Sequence, residues 1–221
     1  MKNIVTALFI LSILFISTIL YAEDGIIAYL DGDVTVQREG SILDAEFGLS
    51  VFQGDILKTG IDSLLILELN NKSELKLREN TILVLEGTGK ETSLILKSGS
   101  IFSRVNKIIN GSFSVRTPSM VAGVRGTEFF VAYGRTIETE PDIWLCVNEG
   151  SVDVSLTKTG DSVIVNEGEG INILSGKKLT KPEFYPWTKK LNWNTDPDKG
   201  EVRDKTNLNS AYEDLLNQDY E

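Results

Sequence analysis

The sequence predicts an all-β body, built as an irregular β-solenoid or wrapped β-sheet and followed by a short C-terminal helix. Three observations carry that reading. From residue 25 to about 175, apolar side chains recur at every second position in short runs, the period of a strand with one buried face. Turn signals rich in Gly, Asn and Asp separate the runs about every 8 to 12 residues, as in all-β domains. No part of that region keeps a helical period beyond a turn or two. A two-sheet β-sandwich is the alternative, because both architectures bury alternate residues and turn at glycine.

Residues 1–22 come first. Lys2 is their only charge, Ile4 to Leu20 are dominated by apolar residues, and Ala22 precedes Glu23-Asp24. A positive start, an apolar stretch and a small residue ahead of an acidic mature terminus describe a secretory signal peptide, with cleavage expected after Ala22. The apolar stretch is long enough to approach a spanning helix, so an uncleaved N-terminal membrane anchor is the second reading. Both place the rest of the chain in the periplasm or outside the cell, and a cleaved leader leaves no stable membrane span.

The β body, residues 23–175, follows. Leu65, Leu67 and Leu69 alternate with Ile66 and Glu68, then come Leu75 and Leu77, Leu83 and Leu85, Leu94 and Leu96, and Phe113 and Val115. Phe129 and Val131, Ile143, Leu145 and Val147, Val152, Val154 and Leu156, Val163 and Val165, and Ile171 and Ile173 continue the pattern. Asp31-Gly32, Gly54-Asp55, Gly60, Asn70-Asn71, Ser98-Gly99, Asn110-Gly111, Glu149-Gly150 and Glu167-Gly168 are the turns between them, since Gly and Asn reach positive φ at low cost. Three of these turns open self-similar units, at Gly32, Gly99 and Gly150, each followed by a branched residue expected to face inward. Their unequal spacing excludes identical repeats and suits rungs of different length.

Residues 176–221 differ in composition. Lys177, Lys178, Lys181, Lys189 and Lys190 accompany Phe184, Tyr185, Trp187 and Trp193, and Pro182, Pro186 and Pro197 interrupt regular structure. Tryptophans seldom stay in water, so Trp187 and Trp193 are expected to dock on the body or to contact a ligand or partner. From Asn207, the residues Leu208, Ala211, Tyr212, Leu215 and Leu216 share one helical face, with Ser210 and Glu213 read as a capping box.

Within the body, Gly32-Asp33-Val34-Thr35-Val36, Gly54-Asp55-Ile56-Leu57-Lys58-Thr59-Gly60 and Ser73-Glu74-Leu75-Lys76-Leu77 resemble the opening of the FecR domain. The resemblance strengthens at Phe113 to Pro118, at Val121-Ala122-Gly123-Val124-Arg125-Gly126-Thr127-Glu128-Phe129, and at Val147 to Val154. It implies an exported β domain of solenoid character, which in the best-known members senses a loaded outer-membrane transporter and relays its state inward to a sigma factor. Those regulators carry a cytoplasmic anti-sigma segment ahead of a membrane helix, whereas here the apolar segment begins almost at Met1. The expectation is therefore a FecR-like domain lacking that segment.

Composition narrows the chemistry. With 32 acidic and 22 basic residues the formal charge is −10, which repels phosphate backbones and argues against nucleic acid. The chain has no histidine, which excludes His-based nucleophiles, His-ligated metals and imidazole proton shuttles. One cysteine, Cys146, forbids an intramolecular disulfide or a multi-cysteine metal site and fits an oxidising compartment. It shares a strand face with Trp144 and reads as packing. Gly87 to Thr92 fails as a phosphate loop, because Val84 and Glu91 stand where Gly and Ser or Thr are required. Asn194, Asp196 and Asp198 fail as a calcium loop, because Lys199 and Lys205 replace its glycine and glutamate. Asn71-Lys72-Ser73 and Asn110-Gly111-Ser112 match the glycosylation triplet but read as turns.

No catalytic, cofactor or metal site is expected. Pro118 ends the strand before it by fixing φ, and Gly123, Gly126 and Thr127 complete a structural motif in which the glycines permit positive φ or close backbone approach. Between them, Arg125 is read as satisfying buried carbonyls and the local acid Glu128, with a ligand or partner contact as the alternative. Arg116 is expected to point to water. The functional expectation is an exported, non-enzymatic protein-interaction or sensing module in the bacterial envelope, its partner an envelope protein. The alternative is a module binding cell-wall or surface polysaccharide, with Trp187 and Trp193 as stacking platforms.

Overall fold

The structure is a computed structural model that describes residues 23–107, 111–136 and 141–217. The signal-peptide reading of residues 1–22, Asn110 of the second glycosylation triplet, and the side chains of Tyr212, Leu215 and Leu216 lie outside the described residues. Among the described residues the alternating runs form eighteen strands. The first nine are β1 (Gly25–Asp31), β2 (Val34–Arg38), β3 (Ser41–Asp44), β4 (Ser50–Val51), β5 (Ile56–Thr59), β6 (Leu64–Leu69), β7 (Glu74–Leu77), β8 (Ile82–Gly87) and β9 (Glu91–Val105). They are followed by β10 (Ser112–Arg116), β11 (Met120–Val124), β12 (Thr127–Thr136), β13 (Pro141–Glu149), β14 (Ser151–Leu156), β15 (Ser162–Asn166), β16 (Glu169–Leu174), β17 (Lys178–Leu179) and β18 (Glu183–Phe184).

Hydrogen bonding sorts them into two sheets. The first runs β4-β1-β6-β7-β9-β12-β13-β16 and ends on β17 and β18. The second runs β3-β2-β5-β8-β9-β10-β11-β14-β15. Every pairing is antiparallel except β9 with β10. β9 belongs to both sheets, its first half pairing with β8 and its second with β12. In each sheet the neighbours follow sequence order almost throughout, so the chain advances along one axis while passing from sheet to sheet. The wrapped-sheet reading and the sandwich alternative thus describe a single object.

The interior is one apolar cluster filled from both sheets. Leu65, Leu67, Leu75, Leu77, Phe129, Val131, Ile143 and Leu145 come from the first, and Val36, Leu57, Leu83, Leu85, Leu94, Val115, Val152 and Val154 from the second. These are the alternating positions of the sequence, each buried because the pleat turns successive side chains to opposite faces.

The self-similar glycines mark corners where the chain changes sheet. Gly32 stands between β1 and β2, Gly99 inside β9, and Gly150 between β13 and β14, all with φ between 80° and 86°. At Gly99 a Cβ would lie 2.5 Å from Thr81 Cα and 2.8 Å from Asn80 O, so both the dihedral and the space require glycine.

Beyond residue 175, β17 and β18 extend the first sheet before the chain turns through Pro186–Lys189 and reaches the one described α-helix, α1 (Leu208–Asn217). Its cap is Asn207, whose Oδ1 accepts from the backbone N–H of Asn209 (3.0 Å) and Ser210 (3.2 Å). The cap therefore lies three residues before the Ser210 read from sequence, where an Asx side chain meets the first free amides. Among the described residues no helix is long and apolar enough to cross a membrane.

Candidate functional site

Alternation predicts that the outward positions of the first sheet are polar, and at its centre they are not. Phe102 on β9, Phe130 and Ala132 on β12, and Trp144 and Cys146 on β13 point away from the interior yet are buried. Register places Phe130 directly across from Phe102 on one side and Cys146 on the other, with Lys76 across from Phe102. A band of aromatic surface therefore runs across three strands, with Lys76 of β7 at its end.

A strap, residues 185–208, covers this band. Tyr185 and Leu191 are buried in the same cluster, Trp187, Trp193 and Leu208 pack against it, and Ala211 of α1 closes it. Rings interlock at angles that bring edges onto faces: Phe130 with Trp144 at 5.2 Å and 67°, Trp144 with Tyr185 at 5.5 Å and 89°, and Phe102 with Trp193 at 5.1 Å and 89°, arrangements favoured by the ring quadrupole. Gly170 makes room for Tyr185, whose Cβ would stand 3.2 Å from a Cβ added there. The Tyr185 hydroxyl donates to Ala211 O at 2.6 Å. Val202 seals a smaller cluster with Leu64 and Ile66 of β6.

Three cations on the sheet grip the strap. Lys76 is fully buried and its ammonium donates to the carbonyls of Asn192 (2.5 Å), Asn194 (2.8 Å) and Val202 (3.1 Å). It also lies 4.3 Å from the centre of the Phe102 ring. Burial pulls its pKa down from 10.5 to about 8, opposed by the nearby Asp204 carboxylate. Arg78 pairs with Asp204 at 3.1 Å and donates to Thr206 O at 3.0 Å. Arg104 bridges Glu74 (2.9 Å) and Glu128 (2.8 Å) within the sheet and reaches Thr195 Oγ1 (2.8 Å) in the strap.

The residues singled out from sequence fall in two places. Trp187 and Trp193 belong to the strap, both half-buried. The Trp187 indole N–H donates to Asp214 Oδ2 at 2.7 Å beneath the Lys190 ammonium, and the Trp193 N–H donates to Thr188 O at 2.8 Å. Pro118, Gly123, Arg125 and Gly126 lie in and around β11 of the second sheet, and Thr127 opens β12 of the first. Thr117 N–H donates to Met120 O at 2.9 Å across the turn that holds Pro118. Gly126, at φ 76°, and Thr127 form a corner nested against Gly150, with the Thr127 hydroxyl donating to Ser151 O at 2.9 Å. One expectation is corrected. Gly123 has neither a positive φ nor a close neighbour, since a Cβ there would meet nothing nearer than Asp153 O at 3.9 Å. Arg125 is exposed, and Glu128 pairs with Arg104 and accepts from Asn148 Nδ2. Arg116, expected to point to water, is partly exposed and pairs with Glu86 at 2.8 Å.

Cys146 is fully buried, and burial pushes its thiol up to about 12. A protonated, covered thiol is inert. Among the described residues no cluster of three or more carboxylates or thiols could hold a metal. Asp196 accepts from Asp198 N–H and pairs with Lys199, so the failed calcium loop is a braced turn. A cleft of about 790 Å³ opens beside the corners of the first sheet, between Arg78, Asn80, Ser100 and Tyr133 on one wall and Arg203 and Asn207 on the other.

Lys76, Arg78, Arg104 and Asp204 were not singled out from sequence. Their signal is a charged residue at the outward position beside buried leucines, as in Glu74-Leu75-Lys76-Leu77, together with unbroken apolar runs such as Phe129 to Ala132. Such runs report burial on both faces of a sheet.

Residues 55–153 match the family model described as FecR protein, so the resemblance of the motifs to the FecR domain holds over that stretch. Two crystal structures of a "putative anti-sigma factor" from Parabacteroides distasonis ATCC 8503 are similar to this chain, and the first of them shares the fold. Each is 19% identical, covering 58% of this chain and 59% of that one, with TM-scores of 0.50 and 0.49. The likeness thus spans little more than half the length of the solved protein. No curated protein matches the chain.

Proposed function

We propose that this chain is a non-enzymatic regulatory or sensing module of the bacterial cell envelope, exported by way of residues 1–22, that works by binding another protein. The FecR match over residues 55–153 supports a regulatory role, and the fold is shared with a protein titled as an anti-sigma factor.

The observation that carries the binding reading is an apolar free edge. Among the described residues β3 pairs only with β2, and all four of its residues are exposed. Ile42 on this strand is 68% exposed and Phe47, in the loop after it, 78%. A strand edge with large apolar side chains in water invites an added strand, and soluble proteins ordinarily blunt such edges with charge or proline. The polysaccharide reading has no comparable support, because Trp187 and Trp193, its stacking platforms, are committed to packing within the strap.

In-cell crosslinking tests the proposal. One specific envelope protein is expected from the wild type, and Ile42→Lys with Phe47→Lys should reduce its recovery at least about fivefold while leaving the fold intact, since surface changes away from special features shift stability by only about 0.5 kcal/mol. Recovery of no specific protein, or binding of the purified chain to insoluble peptidoglycan lost on Trp187→Ala plus Trp193→Ala, would overturn it.

A further inference from the structure

We infer that the strap is an internal pseudo-ligand: residues 185–208 fill a groove on the outer face of the first sheet which, when vacated, takes a segment of a partner protein carrying a carboxylate and an aromatic ring. The inference rests on the reading that the chain acts by binding another protein, and it concerns a face distinct from the β3 edge.

The groove is built by the sheet. Its floor is the aromatic band of Phe102, Phe130 and Trp144. On its rim stand two cations whose oxygen partners lie in the strap: Lys76, bonded to three strap carbonyls, and Arg78, paired with Asp204 and bonded to Thr206 O. Arg104 differs in taking its carboxylates, Glu74 and Glu128, from the sheet itself. Without the strap, Lys76 and Arg78 would present positive charge beside exposed rings. An oxygen-rich segment with an aromatic side chain fits that surface by charge and by area.

The strap's contacts are of a kind that another segment can reproduce. Lys76 reads backbone carbonyls, which every peptide carries, Arg78 reads one carboxylate, and Phe102 reads one ring, Trp193. The loop that supplies them braces itself. Asn192 Nδ2 donates to Glu201 O and Arg203 O, Asn194 Nδ2 donates to Asp196 O and Gly200 O, and Asp204 Oδ1 accepts from Asn192 N–H and the Thr206 hydroxyl. A loop that keeps its shape through internal bonds can lift as a unit without unravelling the sheet beneath it, which is how local opening below the global unfolding energy arises. The match to the FecR model covers the groove residues Lys76, Arg78, Phe102, Phe130 and Trp144 and ends at residue 153, before the strap begins.

The chain contains its own reporter. Cys146 is the single cysteine, lies in the floor of the groove and is fully covered, so its modification requires the strap to rise. The full chain is labelled with a water-soluble aromatic disulfide in native buffer, as wild type, Asp204→Asn and Trp193→Ala, with far-UV circular dichroism recording global unfolding. The expected result is that Cys146 reacts faster than the chain unfolds and that each substitution accelerates the reaction roughly tenfold or more with the β spectrum unchanged. A synthetic peptide copying residues 185–206, added in excess, is expected to restore protection of Cys146 in the Asp204→Asn chain, whereas a copy carrying Asn in place of Asp204 is expected to restore little. Labelling that tracks global unfolding in wild type and both variants, or a wild-type peptide that gives no protection, would overturn the inference. Neither result bears on whether crosslinking through the β3 edge recovers a partner, so the two readings fail separately.

Discussion

Gly99→Ala is expected to lower the thermal unfolding midpoint by about 10 °C, with the transition followed by circular dichroism. Gly99 is the corner at which β9 leaves the second sheet for the first, at φ 86°. An L-residue in the left-handed region costs roughly 1–2 kcal/mol. The added methyl would also stand 2.5 Å from Thr81 Cα and 2.8 Å from Asn80 O, and forcing backbone apart in a packed region costs roughly another 1–3 kcal/mol. Thr81 has little freedom to yield, because its hydroxyl accepts from Ser100 N–H at 3.0 Å and its N–H donates to Thr59 Oγ1 at 2.9 Å. At about 2–4 °C per kcal/mol for a domain of this size, the sum gives the stated shift. Gly160→Ala separates the two causes, since Gly160 also has a positive φ, 75°, but nothing within 4 Å of an added Cβ. It should show the smaller, purely conformational loss. Equal shifts for the two variants would mean that the Gly99 corner is not tightly packed.

Corner glycines were legible because a turn at positive φ depends on the residue that makes it. The interior was legible for a similar reason: Leu65, Leu67, Leu75, Leu77, Val152 and Val154 announce a buried face by their period alone, and all are fully buried. What period two cannot state is what lies over the other face. Phe102, Phe130, Trp144 and Cys146 break the polar alternation, which signals a cover without naming it. The cover arrives from residues more than a hundred positions beyond Lys76, as its bonds to Asn192, Asn194 and Val202 show, and no local pattern encodes a contact at that separation. Glu128 likewise takes a cation from across the sheet, since Arg104 stands opposite it on β9.

The strap's hold on Lys76 gives stability a pH dependence whose sign is fixed by the geometry. The folded pKa, about 8, lies below the free-lysine value of 10.5, chiefly because burial disfavours the charged amine; Arg104 and Arg78 add to that, while Asp204 and Glu128 oppose it. Between those two values the unfolded chain binds a proton that the folded chain does not, so stability rises with pH across the window and the contribution is flat below it. The full gain is about 3 kcal/mol on the basis of 1.36 kcal/mol per pH unit. Tyrosines and other lysines titrate in the same range, so the quantity to measure is the difference between the wild type and Lys76→Met in denaturant unfolding at pH 7.5 and pH 10.5. At the lower pH the methionine removes the cation but orphans three carbonyls, each worth roughly 1–3 kcal/mol when left unpaired under cover. Lys76→Met is therefore expected to be the less stable chain there, with Cys146 more reactive as the strap loosens. Raising the pH should widen the gap in favour of lysine, because only the wild type gains from proton release. A gap that stays constant would show that Lys76 keeps its ordinary pKa, and one that narrows that its pKa is raised; either would mean that the strap does not bury the ammonium as described.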